Sequence, residues 1–391
     1  MSKSKSLFKL FKDMDKTLLF SSLLLIVFGT LNIVTASSRE AVVNASTNLF
    51  YYFFKHSIIL FISFIAFLII IKIPTSKYKK FIPLLYFIVL CLNLYLILVG
   101  VATRGANNWI DLKFIKVQPS EFAKPILILY TSILLEKYYS KLKNPSLEHG
   151  NIIWKIIGLS LILPIIVFLQ KDLGTASILF GIFLVLYLFS PMSNKEKLKN
   201  ALIFIGIIAI ALIVMLSIKG YILSDSQLSR LNDFTNPCSK YESTGYQICN
   251  AFIAINNGSL TGVGIGKSTQ KYSYIPEPHT DMVFAIIAEE NGVLICALIF
   301  ILYLIILYRL LKLSSKTKKI SNKYICIGIS VYIFLHILIN LGGLFGLIPL
   351  TGVPLPFLSY GGSFTLSLII SLAIAQRISI ETNNEKNKLE L

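Results

Sequence analysis

The chain has 391 residues, 55% of them hydrophobic and only 14% charged, with a formal net charge of +18 and a mean hydropathy of +0.74. That balance excludes an ordinary water-soluble globule. The basic residues are scattered over short segments and form no single patch, which argues against nucleic acid as a partner.

Apolar runs near or above the roughly 18–20 residues that a helix needs to cross a bilayer recur along the chain. The alternating ten-residue strands of a membrane barrel are absent. The sequence therefore predicts an all-α polytopic membrane protein of ten spans, at about 18–37, 50–73, 81–101, 119–136, 153–169, 174–191, 200–218, 282–308, 324–348 and 359–378. No small-residue cleavage pattern follows the first run, so it reads as a retained helix. With the N-terminus inside, the segments 1–17, 72–80, 137–155, 192–199, 309–323 and 377–391 hold 25 of the 37 basic residues. This positive-inside distribution places both termini in the cytoplasm. The expected organisation is a cytoplasmic segment 1–17, one membrane domain over 18–380 with a large extracytoplasmic loop at 219–281, and a cytoplasmic tail 381–391. Cys91, Cys296 and Cys326 fall inside spans as packing residues. Cys238 and Cys249 share the long outer loop, where a disulfide and two free thiols are both open readings.

Polar chemistry collects on the outer side, in four stretches. The first is "TRGANNWIDLKFIKVQPSEFAKPILILY" (103–130). Trp109 and the apolar Ile110, Leu112, Phe114 and Ile115 suit an element lying in the interface. Pro119, Ser120 and Glu121 then open a helix with a carboxylate near its positive end, and Lys124 follows at i+3, where the two can pair. A capped helix with a snorkelling lysine is the plainer alternative.

The second stretch is "LQKDLGTAS" (169–177), a polar kink between spans. Asp172 either caps the next helix or faces a functional interior. The third is "NNGSLTGVGIGKSTQKYSYIPEPHTD" (256–281), where a glycine-rich backbone with Lys267 and Lys271 can approach phosphate oxygens. It is no nucleotide-binding motif. His279 has no second His or Cys at ligand spacing, so zinc is not expected. Asp281 ends this loop before a long apolar helix. It reads as an N-cap, as a carboxylate tuned for general-base work at the water–lipid boundary, or as both. Glu289 and Glu290, an acidic pair inside the next span, are hard to explain as packing alone. The fourth is "LINLGGLFGLIPLTGVPLPFLSYGGSFTL" (338–366), a Gly/Pro-interrupted segment containing Ser359 that lines the cavity Asp281 faces.

In this order, "GANNWIDL", "VQPSEFAK", "QKDLGTA", "GYQ", "GIGKSTQKYSYIPEPHTDMVFAIIAEENG" and "NLGGLFGLIPLTGVPLPFLSYGGS" resemble the SEDS family of polytopic cell-wall proteins (RodA/FtsW/SpoVE), over about residues 18–380. The run "GKSTQKYSYIPE" is most similar to the FtsW/SpoVE branch, and cell division is the expected role. The resemblance implies a peptidoglycan glycosyltransferase that polymerises lipid II beside a class B penicillin-binding protein and other division proteins of the membrane.

The family's loop aspartate matches Asp281 and its QPSE-helix lysine matches Lys124. Asp172 matches the aspartate of a "QPDLGT" motif whose proline is Lys171 here. Where many members read Arg-Trp-Ile, this chain has Asn108-Trp109-Ile110, with Arg104 four residues upstream as a substitute cation. The expected mechanism has Asp281 as general base. Lys124, Arg104, Lys267 or Lys271 would neutralise the departing diphosphate, and a divalent cation (Mg or Mn), with no organic cofactor, is the expected aid. Trp109, Glu121, Asp172, His279 and Ser359 complete the expected substrate-binding set. The rival reading is a lipid II flippase, to which intramembrane carboxylates and broken helices also point.

Overall fold

The computed structural model describes residues 7–44, 48–99, 101–103, 106–111, 116–143, 149–203, 206, 234, 237–238, 244–272 and 275–389. Among them, seven helices are long and apolar enough to cross a membrane: Lys16–Ala36, Tyr51–Ile70, Thr75–Val99, Gly150–Leu169, Val283–Lys316, Ile320–Leu344 and Gly362–Asn387. The span expected at 119–136 is also a helix, Pro119–Lys137. It carries Glu121, Lys124, Glu136 and Lys137. The one expected at 174–191 is the shorter Leu173–Leu188, and the one at 200–218 lies almost wholly outside the described residues.

Pro119–Lys137 is the central helix. It packs against Tyr78–Val99, His149–Leu169, Leu173–Leu188, Ile320–Leu344 and Gly362–Leu389. Tyr51–Ile70 and Tyr78–Val99 instead turn rows of Phe, Leu and Ile outward, including Phe54, Phe61, Leu84 and Phe87. In water such faces would be a liability, whereas against lipid they are the solvated surface.

Four features depart from the sequence reading. First, the expected span at 282–308 is Val283–Lys316, and it is broken: Gly292 has φ 77° and ψ 175°. The backbone groups freed by the break are taken up by the Ser259–Gly264 segment. Val263 and Gly264 N–H donate to the Glu289 and Glu290 carbonyls at 2.9 and 3.0 Å, and Val293 and Leu294 N–H donate to the Ser259 and Leu260 carbonyls at 3.0 and 3.3 Å. A broken helix at membrane depth is tolerated when protein supplies these bonds.

Second, the interfacial element of the first loop is a small antiparallel sheet, β1 (Val101–Thr103), β2 (Ala106–Asp111) and β3 (Lys116–Val117) in that order. Apolar alternation, read there as a surface-lying element, is also the strand period. Third, the large outer loop contains a helix, Thr244–Gly258. Cys249 on it is bonded to Cys238. Fourth, the last helix runs to Leu389, through most of the expected tail.

Candidate functional site

The Gly/Pro loop after Leu344 is the hub to which every candidate residue is referred. Proline and glycine deny it a helix, so its carbonyls need partners from elsewhere, and the surrounding helices supply them. Asn340 Nδ2 donates to the Val353 carbonyl at 2.8 Å, and His336 Nδ1 lies 3.0 Å from the Pro354 carbonyl. The Tyr303 hydroxyl donates to the Pro356 carbonyl. Gly29 on the first span lets the loop come close, since a Cβ there would fall 2.4 Å from the Phe357 carbonyl oxygen. The expected site residue Ser359 closes the loop on itself: its Oγ accepts from the Leu355 N–H at 2.8 Å.

Asp281 sits under this loop. It is 6% exposed, and its Oδ1 accepts from the Thr280 hydroxyl at 2.9 Å. Gly352 (φ +74°) lies over the carboxylate, so that a Cβ at 352 would stand 3.7 Å from Asp281 Oδ2. Asn340 Nδ2 also donates to the Asp281 carbonyl, at 2.7 Å, so one amide ties the aspartate's backbone to the loop. The N-cap position of the following helix belongs to Met282, not Asp281, so the capping alternative does not describe this carboxylate.

Glu121 and Lys124 pair as their i+3 spacing requires, with Nζ–Oε1 at 2.7 Å and both side chains buried. Lys124 Nζ also lies 3.0 Å from His336 Nε2. The Pro354 carbonyl can only accept, so His336 Nδ1 carries the proton and Nε2 accepts from the lysine. The rings of Tyr332 and Phe364, each 5.8 Å from the ammonium, complete its surroundings. Snorkelling is not how this lysine is accommodated; it is held inside the bundle.

Asp172 caps Leu173–Leu188, its Oδ1 accepting from Thr175 N–H at 3.0 Å. Its Oδ2 accepts from Asn108 Nδ2 at 2.7 Å and Gln118 Nε2 at 3.0 Å. Asn108 thus contacts the Asp172 carboxylate with a neutral donor at the position where the resemblance places an arginine. Lys171 has φ 66°, a conformation closed to the proline of the family motif. This cluster adjoins the same loop, because Gly174 packs against Thr351 and Val353.

Of the two loop lysines, Lys271 is buried against Glu290, Nζ–Oε1 2.8 Å, and also donates to the Gly266 carbonyl at 2.7 Å. Lys267 is exposed. Glu289 gathers the turn that carries them: it accepts from Thr269 N–H and Oγ1 at 3.2 and 3.0 Å, Gln270 N–H at 3.3 Å, Asn257 Nδ2 at 3.3 Å and the Ser268 hydroxyl.

His279 pairs with Glu40 at 3.2 Å and packs against Tyr52 and Tyr360, ring centroids 4.4 and 5.2 Å away. Burial and the neighbouring Tyr52 and Tyr51 push the Tyr360 phenol up to about 12, so it remains a donor at neutral pH. Trp109 is half-buried on β2, and Arg104 lies outside the described residues. Among the described residues no three of His, Cys, Asp and Glu converge on a point where a metal ion could be held.

The structure thus joins Asp281, Lys124, Glu121, Asp172 and Ser359 around one loop. It spends Lys271 on Glu290. Sequence reasoning missed His336 and Asn340, although two polar residues four apart in an otherwise apolar span were a signal. It also missed Glu40, which nothing local marks.

Comparison with known proteins extends the resemblance. The profile of the cell cycle protein family FtsW/RodA/SpoVE matches residues 16–384. The probable peptidoglycan glycosyltransferase FtsW of Wigglesworthia glossinidia brevipalpis is 30% identical over 392 residues, covering 99% of this chain and 98% of that protein. A chain from a solved peptidoglycan synthase complex, described as coordinating polymerization and crosslinking, superposes with a TM-score of 0.73 at 22% identity, covering 94% of this chain and 98% of its own. The rod shape determining protein RodA of Thermus thermophilus gives 0.66 at 21% identity, covering 94% and 96%.

Proposed function

Because the chain belongs to the FtsW/RodA/SpoVE family of cell cycle proteins, we propose that it is a peptidoglycan glycosyltransferase that polymerises lipid II at the outer face of the cytoplasmic membrane, in cell division. The observation that carries this reading is Asp281, a mostly buried carboxylate fixed beneath a Gly/Pro loop where a helix enters the bilayer. Lipid II has its sugars in water and its polyprenyl tail in lipid, so its chemistry belongs at such a boundary.

In this reading Asp281 removes the proton from the 4-hydroxyl of the acceptor sugar. That oxygen forms a bond to the anomeric carbon of the donor as the bond to the phosphate oxygen breaks, with inversion, and polyprenyl diphosphate leaves. Diphosphate is already a good leaving group, so a second carboxylic acid is not required as in a glycosidase. Gly352 leaves the space over the carboxylate open to an acceptor. Lys267, exposed on its loop, is free to meet the diphosphate, while Lys124 acts on the site through the hub loop by way of His336. A divalent cation (Mg or Mn) stays a proposal. Among the described residues no three of His, Cys, Asp and Glu converge to form a cage for it.

The partner is proposed to be a class B penicillin-binding protein, consistent with the polymerization and crosslinking complex above. The positive-inside distribution supports a cytoplasmic location for both termini. The flippase reading loses support, because the backbone groups freed at the Gly292 break are taken up by the Ser259–Gly264 segment.

The test is polymerisation of labelled lipid II by purified protein with its cognate transpeptidase. Asp281→Asn is expected to lower turnover by about 10²–10⁴-fold with folding intact. Glycan ladders of equal intensity from both proteins would move the base elsewhere. No ladders from a folded, partnered wild type would return the argument to transport.

A further inference from the structure

At the opposite end of the bundle, a cavity of about 180 Å³ lies between the start of the first span, the end of Val283–Lys316 and the last helix. It is lined by four cations, Lys16, Arg309, Lys312 and Lys316, against one carboxylate, Asp15. That carboxylate is occupied. Arg309 Nε and an Nη donate to Asp15 Oδ2 at 2.9 and 2.6 Å, and Oδ1 caps the Leu18 N–H at 3.0 Å. Gln376 further clamps the Asp15 backbone, donating to its carbonyl at 3.0 Å and accepting from its N–H at 2.9 Å. These bonds fix Asp15 and Arg309 in the cavity wall. Among the described residues, Lys16, Lys312 and Lys316 make no ion pair, and the Thr17 and Ser379 hydroxyls line the cavity beside them.

We propose that this cavity binds a phosphate anion, supplied by an anionic phospholipid headgroup or by free phosphate. Like charges gathered in one cavity repel until an anion enters, and three strong donors around a phosphate give charge-assisted hydrogen bonds. Below the cavity the two bounding helices continue as exposed apolar stripes. Phe20 and Leu24 lie one and two turns below Lys16, and Tyr308 and Leu304 one and two turns below Lys312; all four are exposed. Lys312 Nζ already lies over the Tyr308 ring, 5.3 Å from its centroid. A lipid fits both parts of this surface, its head among the lysines and its acyl chain along the seam. General attraction of cytoplasmic lysines to an anionic leaflet would not require a cavity.

The proposal does not depend on the enzymatic reading, and its test does not use activity. Native mass spectrometry of the detergent-purified full chain, titrated with dioleoyl-phosphatidylglycerol, is expected to show one retained lipid that phosphatidylcholine does not replace. Substituting Lys16, Lys312 and Lys316 together by Gln should weaken retention on the order of a hundredfold, at about fivefold per lysine. The exposed Lys195, Lys199 and Lys323, changed likewise, should leave it intact. Millimolar inorganic phosphate that displaces the lipid and protects the protein from thermal unfolding equally well would make free phosphate a sufficient ligand. Displacement only by lipid would make the headgroup the source. If the triple variant does not fold, Lys316→Glu alone, a change of two charges, should weaken retention about 25-fold. Equal loss in both sets of variants, or no retained lipid in the wild type, overturns the proposal.

Discussion

Lys271 and Glu290 provide the sharpest test of how charge is handled in this bundle. Their side chains are 1% and 0% exposed, and their 2.8 Å ion pair joins the glycine-rich loop to the helix turn just before the break at Gly292. Removing one partner leaves a buried charge without its counter-ion. Glu290→Gln leaves an ammonium without its counter-ion, its remaining partners being the Gly266 carbonyl and the Tyr272 ring. Lys271→Met strands a carboxylate whose other oxygen is buried without a hydrogen bond. Each single change is expected to destabilise by about 3–5 kcal/mol. Lys271→Met with Glu290→Leu, which removes both charges at similar volume, is expected to come within about 1 kcal/mol of the wild type or to exceed it.

A double-mutant cycle by denaturant or thermal unfolding in one detergent measures this. Single variants within about 1 kcal/mol of wild type, or additive effects, would refute the reasoning. Polymerisation by the stable double variant then separates two roles. Retained activity makes Lys271 structural. Lost activity in a protein of wild-type stability restores the diphosphate contact that the sequence suggested.

Three further predictions follow from close contacts. A Cβ at Gly258 would stand 1.9 Å from the Ala288 carbonyl oxygen, whereas one at Gly158 meets nothing within 4 Å. Gly258→Ala should destabilise by about 1–3 kcal/mol or more and Gly158→Ala should be silent or slightly stabilising in thermal unfolding; equal effects would refute the packing described. Asn340→Ala frees the Asp281 and Val353 carbonyls from their shared donor, and should lower kcat by roughly 10–100-fold with KM little changed, as expected for a positioning residue. Replacing Cys238 and Cys249 by Ala should cost about 2–3 kcal/mol in unfolding, and intact mass before and after reduction should differ by two hydrogens if the bond of this structure is present.

The parts of the fold legible in the sequence were those set by local periodicity and spacing. Apolar runs located the spans, i+3 spacing paired Glu121 with Lys124, and a short polar side chain before a helix made Asp172 its cap. The illegible parts depend on distant segments. Nothing within 283–308 except one glycine announces a broken helix, because the bonds that make the break tolerable come from residues 259–264. His336 reaches Lys124 across 212 positions, and Glu40 reaches His279 from the other end of the chain. Asn108 shows the same limit. As a substitution it looked like a missing cation, but in three dimensions its amide donates to Asp172, as Gln118 does.

Several carboxylates crowd this end of the bundle, and what occupies their oxygens separates them. A general base must offer an oxygen to the substrate hydroxyl. Glu289 accepts from five donors on Asn257, Ser268, Thr269 and Gln270, with both oxygens engaged. Glu290 is neutralised by a buried lysine, and Glu121 by another. Asp172 holds a helix end and two amides. These contacts hold the four acids in the bundle, although Glu121 and Glu290 each keep one buried oxygen without a hydrogen bond among the described residues. Asp281 differs in what stands over it. The residue above Oδ2 is Gly352, with no side chain to fill the space, and Asn340 fixes the aspartate's backbone without touching its carboxylate. The loop that carries Gly352 is in turn pinned by His336, Tyr303 and Asn340. Proline and glycine in that loop therefore leave Gly352, and not a larger side chain, beside the carboxylate proposed above as the general base.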